Sequence, residues 1–175
     1  MTEKQIVNVI NNVNVLKEDT RKNVLDFLVY LIENDMLFEE CKAYTEANPL
    51  WRIKYNDEFI CLFSIEDSFD PKTEELTQEK VDISIIWDDF YDLDWFADFQ
   101  LDENMSETVW KAILNCYNCG EDCSSGTLKK IFGKEFNNVC CRGVMEFINP
   151  DVEEWMCLKE MVKLRKNDIL KKVIK

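Results

Sequence analysis

Hydrophobic positions along the chain recur with two different periods, and the places where the period changes divide it into elements. Thr2-Glu-Lys-Gln5 fits a capping box, and Ile6, Val9, Ile10 and Val13 follow at i, i+3, i+4 and i+7, which predicts a short amphipathic helix. Asp19-Thr20 starts a second helix, whose stripe is Val24, Phe27, Leu28, Leu31 and Ile32. Met36 to Tyr44 reads as a further helical turn or two, ended by Asn48-Pro49. The plain reading of the stripe is core packing, and a groove for a partner peptide is the alternative.

The period then drops to two. Trp51, Ile53 and Tyr55 alternate with Arg52 and Lys54; Asn56-Asp57 is turn chemistry; Phe59, Cys61, Phe63 and Ile65 alternate again. Together they predict a β-hairpin. Asp67 to Lys80 is acidic, contains Pro71 and lacks apolar periodicity, so it reads as an exposed loop. Val81, Ile83, Ile85 and Trp87 form a third strand, and Ile86 suggests that its second face is partly covered. Ser106 is placed as the N-cap of a helix that carries Val109, Trp110 and Ile113 and ends near Cys116. Gly143 to Ile148 is a last short strand. Asn149-Pro150 then starts a closing helix with Asn as N-cap and Pro at the first helical position. Acidic Asp151, Glu153 and Glu154 near its start and basic Lys159, Lys163, Arg165 and Lys166 further on suit the helix dipole. Val152, Trp155, Met156, Met161, Val162 and Leu164 supply its buried side.

These elements predict one α+β domain over residues 1–175, helical in 1–48, with the sheet, a cysteine-rich segment and the closing helix in 50–166. The sheet is antiparallel, of about four strands, covered mainly on one face by helices from both ends of the chain. A small-molecule pocket between sheet and helices would be lined by Trp51, Trp87 and Trp95, which otherwise read as core.

Composition narrows the function classes. Hydrophobic residues make up 46% and charged residues 32% of 175, a globular balance. No apolar run approaches the roughly 20 residues of a membrane span, and the Met-Thr-Glu-Lys-Gln start is no signal peptide. A cytoplasmic location without membrane attachment is therefore expected. With 35 acidic residues against 21 basic ones the formal net charge is −14, which repels phosphate backbones and argues against direct nucleic-acid binding. The absence of histidine removes the commonest general base, Ser-His and Cys-His nucleophile pairs, and imidazole as a metal ligand.

Five of the eight cysteines fall between Cys116 and Cys141. Cys116 and Cys119 form a CxxC followed by Gly120, Cys123 comes four residues later, and Cys140-Cys141 follow after a 16-residue excursion. Clustered thiols in a reducing compartment point to metal ligands, redox groups or small core residues. Structural zinc takes four tetrahedral ligands. Without histidine the set would be all thiolate: Cys116, Cys119, Cys123 and Cys140, with Cys141 as the alternative to Cys140. A thioredoxin-like redox pair would want its first cysteine at a helix N-terminus, whereas a helix is predicted to end at Cys116. Cys41, Cys61 and Cys157 lie in ordinary core patterns and read as small hydrophobes.

Two other segments carry candidate chemistry. Asp88 to Phe99 interleaves five aspartates with five aromatics, a cation or aromatic-ligand site in one reading and an amphipathic packing segment in the other. Lys129, Lys130, Lys134 and Arg142, with Ser124, Ser125 and Gly126, could hold a small anion, yet Gly126 and Gly133 match no phosphate-binding loop, and the plain reading is a solvated face or charge balance against the aspartate segment.

Trp51-x-Ile53-x-Tyr55 with its hydrophobic strand, Cys-x-x-Cys-Gly, Ile131-Phe-Gly-Lys-Glu-Phe-x-x-x-Cys140 and the closing Asn149-Pro150-Asp151 helix together resemble a group of small uncharacterised bacterial proteins. The resemblance runs from about Leu50 to Lys166. It implies a compact bacterial α+β domain with a cysteine-rich insertion, and it implies no activity, substrate or cofactor. The expected function is a non-enzymatic cytoplasmic module that binds a small molecule or a protein, with a structural zinc site. The alternative is a thiol-redox or metal-dependent enzyme using the Cys116–Cys141 cluster.

Overall fold

Two helices, α1 (Glu3–Val13) and α2 (Glu18–Glu33), open the computed structural model, which describes residues 3–14, 16–41, 49–70, 75–87, 95–117, 126–140 and 143–173. Behind them an antiparallel sheet takes the order β1 (Leu37–Cys41), β2 (Leu50–Tyr55), β3 (Glu58–Asp70), β4 (Glu75–Trp87) and β7 (Met145–Ile148). Between β4 and β7 the chain forms α3 (Trp95–Asp98), α4 (Glu103–Lys111) and a separate hairpin of β5 (Thr127–Ile131) and β6 (Lys134–Val139). The closing helix is α5 (Val152–Val173). The fold is α+β. No helix among the described residues is long and apolar enough to cross a membrane.

Register explains why one face of the sheet is core. Trp51 pairs with Phe63, Phe63 with Ile85, and Ile85 with Phe147, so a row of large apolar side chains crosses four strands, all buried. One residue along, Arg52, Leu62, Ile86 and Glu146 make the matching row on the other face, and all four are half-buried. This is the period-two pattern made physical. Helix α5 brings Leu158, Met161 and Val162 to the core and meets α2 where Trp155 lies 5.1 Å from Phe27. Lys166 Nζ donates to the Asn34 carbonyl at 2.7 Å, satisfying an acceptor at the C-terminal end of α2. The Tyr30 hydroxyl donates to the Lys159 carbonyl at 2.9 Å; burial, with the Glu160 carboxylate nearby, raises its pKa above the usual phenol value.

The predicted elements are corrected in five places. Met36 to Cys41 is not helix. Asp35 adopts a left-handed conformation (φ 63°) that ends α2, and Leu37–Cys41 pairs with β2 along its whole length. Met36 and Phe38 are buried while Leu37 and Glu39 are exposed, a period of two in a stretch too short to separate from a helical turn. Residues 42–48 lie outside the described residues. The sheet therefore has five strands rather than about four.

The acidic loop predicted over Asp67 to Lys80 is largely strand, since β3 runs to Asp70 and β4 resumes at Glu75. Neither β2 nor β7 accompanies the hairpin this far, so its outer part is a two-stranded ribbon that needs no apolar face from neighbouring strands.

Two helix starts move and one helix ends early. Asp102, not Ser106, caps α4, accepting from Met105 N at 3.0 Å. Ser106 is buried inside that helix. The helix closes at Lys111, because the next residues pair with β7: Leu114 N donates to Val144 O at 3.0 Å and Glu146 N to Ala112 O at 2.9 Å. At α5 the cap is Asp151. Its carboxylate accepts from Glu154 N at 2.9 Å, and the Glu154 carboxylate accepts from Asp151 N at 2.8 Å, a reciprocal capping box. Asn149 (φ 48°) instead prolongs the sheet. Its N–H donates to Ile83 O at 2.8 Å and its side-chain oxygen accepts from Ile83 N at 3.0 Å.

Candidate metal centre

The extended segment after α4 is the structural base of the cysteine cluster. Its one side pairs with β7 through Ile113 and Met145, and its other side pairs with β6 through Asn115 and Val139. Around the second bridge, Cys116 N donates to Asn138 O at 2.8 Å and Cys140 N donates to Leu114 O at 2.8 Å. Val139 also pairs with Thr127 of β5, so β6 lies between the segment and β5.

This register places two of the four predicted ligands together. Cys116 and Cys140 flank the Asn115–Val139 pair, one residue beyond it on each strand, so they occupy diagonal positions on one face. Diagonal Cα positions are about 7–8 Å apart, with Cβ atoms somewhat closer. Cys116 is buried and Cys140 half-buried, and no disulfide is formed by either. Cys119, Cys123 and Cys141 lie outside the described residues. Among the described residues no three cysteine or carboxylate side chains come together to hold an ion. The donor chemistry fits zinc: Cys116 and Cys140 lie diagonally on one face, and Cys119 and Cys123 follow Cys116 closely in the sequence.

Two residues outside the cysteine motif hold this base in shape. Asn138 takes a left-handed conformation (φ 68°), and its Nδ2 donates to the Cys116 carbonyl at 3.0 Å. Gly126 (φ 69°) lies against it: a Cβ built there would sit 2.2 Å from Asn138 Oδ1 and 2.8 Å from its Cα. Left-handed backbone costs a residue with a side chain about 1–2 kcal/mol, and overpacking about 1–3 more. Gly126→Ala should therefore lose about 2–5 kcal/mol of unfolding free energy in urea titrations. Gly133→Ala should lose only the backbone part, about 1–2 kcal/mol, because nothing lies within 4 Å of its Cβ position (φ 85°). Equal losses at the two glycines would contradict the close approach at Gly126.

The remaining sequence candidates resolve mostly into packing. Trp51 stacks on Phe63 at 5.5 Å, while Trp87 and Trp95 lie 6.1 Å apart in a group with Phe96, and Phe132 packs 5.9 Å from Trp95. All three tryptophans are buried, so the described residues show them as core. Of the aspartate–aromatic segment, Asp88 to Asp94 lies outside the described residues, and Trp95 and Phe96 are buried. The basic group is dispersed. Lys134 sits over the rings of Trp110 and Phe136, at 4.7 and 5.2 Å, and Lys130 pairs across the hairpin with Glu135. Ser124, Ser125 and Arg142 lie outside the described residues. Cys61 and Cys157 are buried, and burial raises both thiols above their ordinary pKa, Cys61 by a wide margin.

Comparison of the chain with protein-family models, with curated proteins and with solved structures finds no match.

Proposed function

We propose that the chain is a non-enzymatic cytoplasmic binding or interaction module for a small molecule or protein, its cysteine loop closed by one structural zinc ion. The ligands are Cys116, Cys119, Cys123 and Cys140, with Cys141 able to take the place of Cys140. Kinship with the small bacterial α+β group that carries the same cysteine and Asn-Pro-Asp pattern is part of the proposal. The observation that carries it is the diagonal pair: backbone hydrogen bonds on either side of the Asn115–Val139 bridge hold Cys116 and Cys140 on one face, and Cys119 and Cys123 follow Cys116 closely in the sequence. Four thiolates fill a tetrahedral ion and leave no position for a reacting water, so such an ion clamps the loop and does no Lewis-acid chemistry.

A thiol-redox or metal-dependent enzyme built on the same cluster is the alternative. It calls for a thiol activated at a helix N-terminus, or for three ligands and a water. The backbone from Ala112 to Cys116 follows a helix C-terminus and is held in strand-like pairing, which favours the structural reading.

Paired substitutions separate the ligands from the packing cysteines. Cys116→Ser, and the double variant Cys140→Ser with Cys141→Ser, should each retain less than about a tenth of the zinc carried by the parent, given the weight of each thiolate in such a site. Cys41→Ser should retain all of it. Full retention by the Cys116 variant would remove the proposed ligand set.

A further inference from the structure

We infer that the groove between α4 and the first turns of α5 docks a basic amphipathic helix of a partner protein. This rests on reading the chain as a binding module and names the chemistry of what it binds. The groove has a volume of about 580 Å³, within the roughly 300–1,000 Å³ of binding clefts. Asp102, Met105, Glu107 and Lys111 line it from α4, and Glu153 and Met156 from α5. Met105 is half-buried and the other five are exposed, so this is surface rather than core. At its floor the Cys157 thiol lies 3.9 Å from the Met105 carbonyl. Hydrophobic periodicity assigns Val152 and Met156 to the buried side of α5, yet they are 67% and 57% exposed, one turn apart, with Met156 on the groove. The flexible thioethers of Met105 and Met156 make an apolar surface that can adapt to a partner's side chains.

Charge selects the occupant. Residues 102–111 and 151–157 hold six carboxylates and one lysine, a far steeper excess than the 35 to 21 of the whole chain. Three of the six serve as helix caps, Asp102 for α4 and the Asp151–Glu154 box for α5. Capping accounts for neither Glu107 nor Glu153. No described lysine or arginine pairs with either, whereas Asp26, beside α5, and Glu160 and Asp168, further along it, each have a cation. Among the described residues no three cysteine or carboxylate side chains come together to hold an ion, so these carboxylates match positive charges spaced along a chain rather than one metal ion. A second copy would set a body of net charge −14 against an acidic groove and be repelled. A helix with lysine or arginine beside an apolar stripe meets both demands, placing its anchors over Met105 and Met156 and its cations by Glu107 and Glu153.

The test is fluorescence anisotropy of a dye-labelled helical peptide of about 14 residues, roughly 20 Å long, with leucine on one face and lysine on the other, titrated with the full chain. Binding tighter than about 100 μM is expected, weakening between roughly 50 and 500 mM salt. Glu107→Lys with Glu153→Lys should weaken it by at least about tenfold. Glu18→Lys with Glu33→Lys makes the same change in net charge at exposed sites of α2, one of them again in a first helical turn, and should stay within about twofold of the parent. A peptide with serine in place of leucine should lose at least about tenfold as well. Absence of binding, equal losses for the two double variants, or equal affinity for the serine peptide would each overturn the inference, the last two by reducing it to non-specific attraction to an acidic protein. Zinc content is read separately, so protein that carries zinc and ignores the peptide refutes the groove alone, and protein that binds the peptide without zinc refutes the clamp alone.

Discussion

Replacing Arg165 by Ala should destabilise the protein by about 3–5 kcal/mol, one of the two largest single effects expected here. Arg165 projects from α5 and is 1% exposed, yet it carries a full charge. Its Nε donates to the Phe59 carbonyl at 3.1 Å and its Nη1 to Asp168 Oδ2 at 2.6 Å, while the guanidinium lies 5.9 Å from the centre of the Trp95 ring. One side chain thus joins α5 to the start of β3 and to the aromatic group around α3. Truncation leaves a carbonyl without its donor, and leaves Asp168 with Lys172 Nζ, at 3.3 Å and half-exposed, as its remaining cation. Burying the carboxylate against that weaker partner is the main cost. Arg165→Met combined with Asp168→Leu removes both charges and should recover most of the loss, leaving about 1–2 kcal/mol for the Phe59 carbonyl. Urea unfolding followed by tryptophan fluorescence measures both variants. A loss below about 1 kcal/mol for Arg165→Ala would mean that the guanidinium is not what holds α5 to β3.

Trp87→Ala should cost about 3–5 kcal/mol and Trp87→Phe about 1 kcal/mol or less, a wider gap than burial alone suggests. Trp87 is fully buried at the end of β4, pairing with Met145 of β7 and lying 6.1 and 6.4 Å from the rings of Trp95 and Phe96. The alanine variant removes most of that packing and opens a cavity among rings held in place by their own neighbours. The phenylalanine variant keeps a ring there. It also loses no hydrogen bond, because among the described residues the buried indole N–H of Trp87 has no acceptor. An unpaired buried donor already carries a desolvation cost, and deleting it offsets part of the lost volume. Equal losses for the two variants would show that the indole nitrogen is paired after all.

The sheet's core was legible because β2, β3 and β4 carry strict alternation, and the row Trp51–Phe63–Ile85–Phe147 is that alternation read across strands. The Asn56-Asp57 turn was legible for an equally local reason: both residues tolerate positive φ, and both adopt it (49° and 64°). What escaped the pattern is settled by tertiary pairing. Leu37–Cys41 becomes a strand because β2 offers it an unpaired edge, and Ala112–Cys116 leaves helical conformation because β7 and β6 stand on either side. Asn149 looked like a helix cap because Asn-Pro is a strong cap signal, but a capping box one turn on, Asp151 with Glu154, satisfies the helix and frees Asn149 for the sheet. In the cluster itself, the spacing marked Cys116 and Cys140 individually. Their placement on one face depends on the Asn115–Val139 bridge, for which no local residue pattern exists. Gly126 and Asn138 did carry a signal, since both residue types favour left-handed backbone, but only the folded pairing shows that they meet.

Zinc content and thiol reactivity, measured together on protein purified without chelator, test the central claim most directly. The account predicts about one zinc per chain. Before chelation Cys41 and Cys141 should react first, while burial holds Cys61 and Cys157 protonated and slow. Chelation should then expose about four further thiols and lower the melting temperature, since metal affinity in such a site is folding free energy. Protein that carries no metal and whose cluster thiols all titrate freely from the outset, or in which only Cys116 and Cys119 oxidise to a pair, would contradict the zinc clamp and move the cluster's role to packing or redox chemistry.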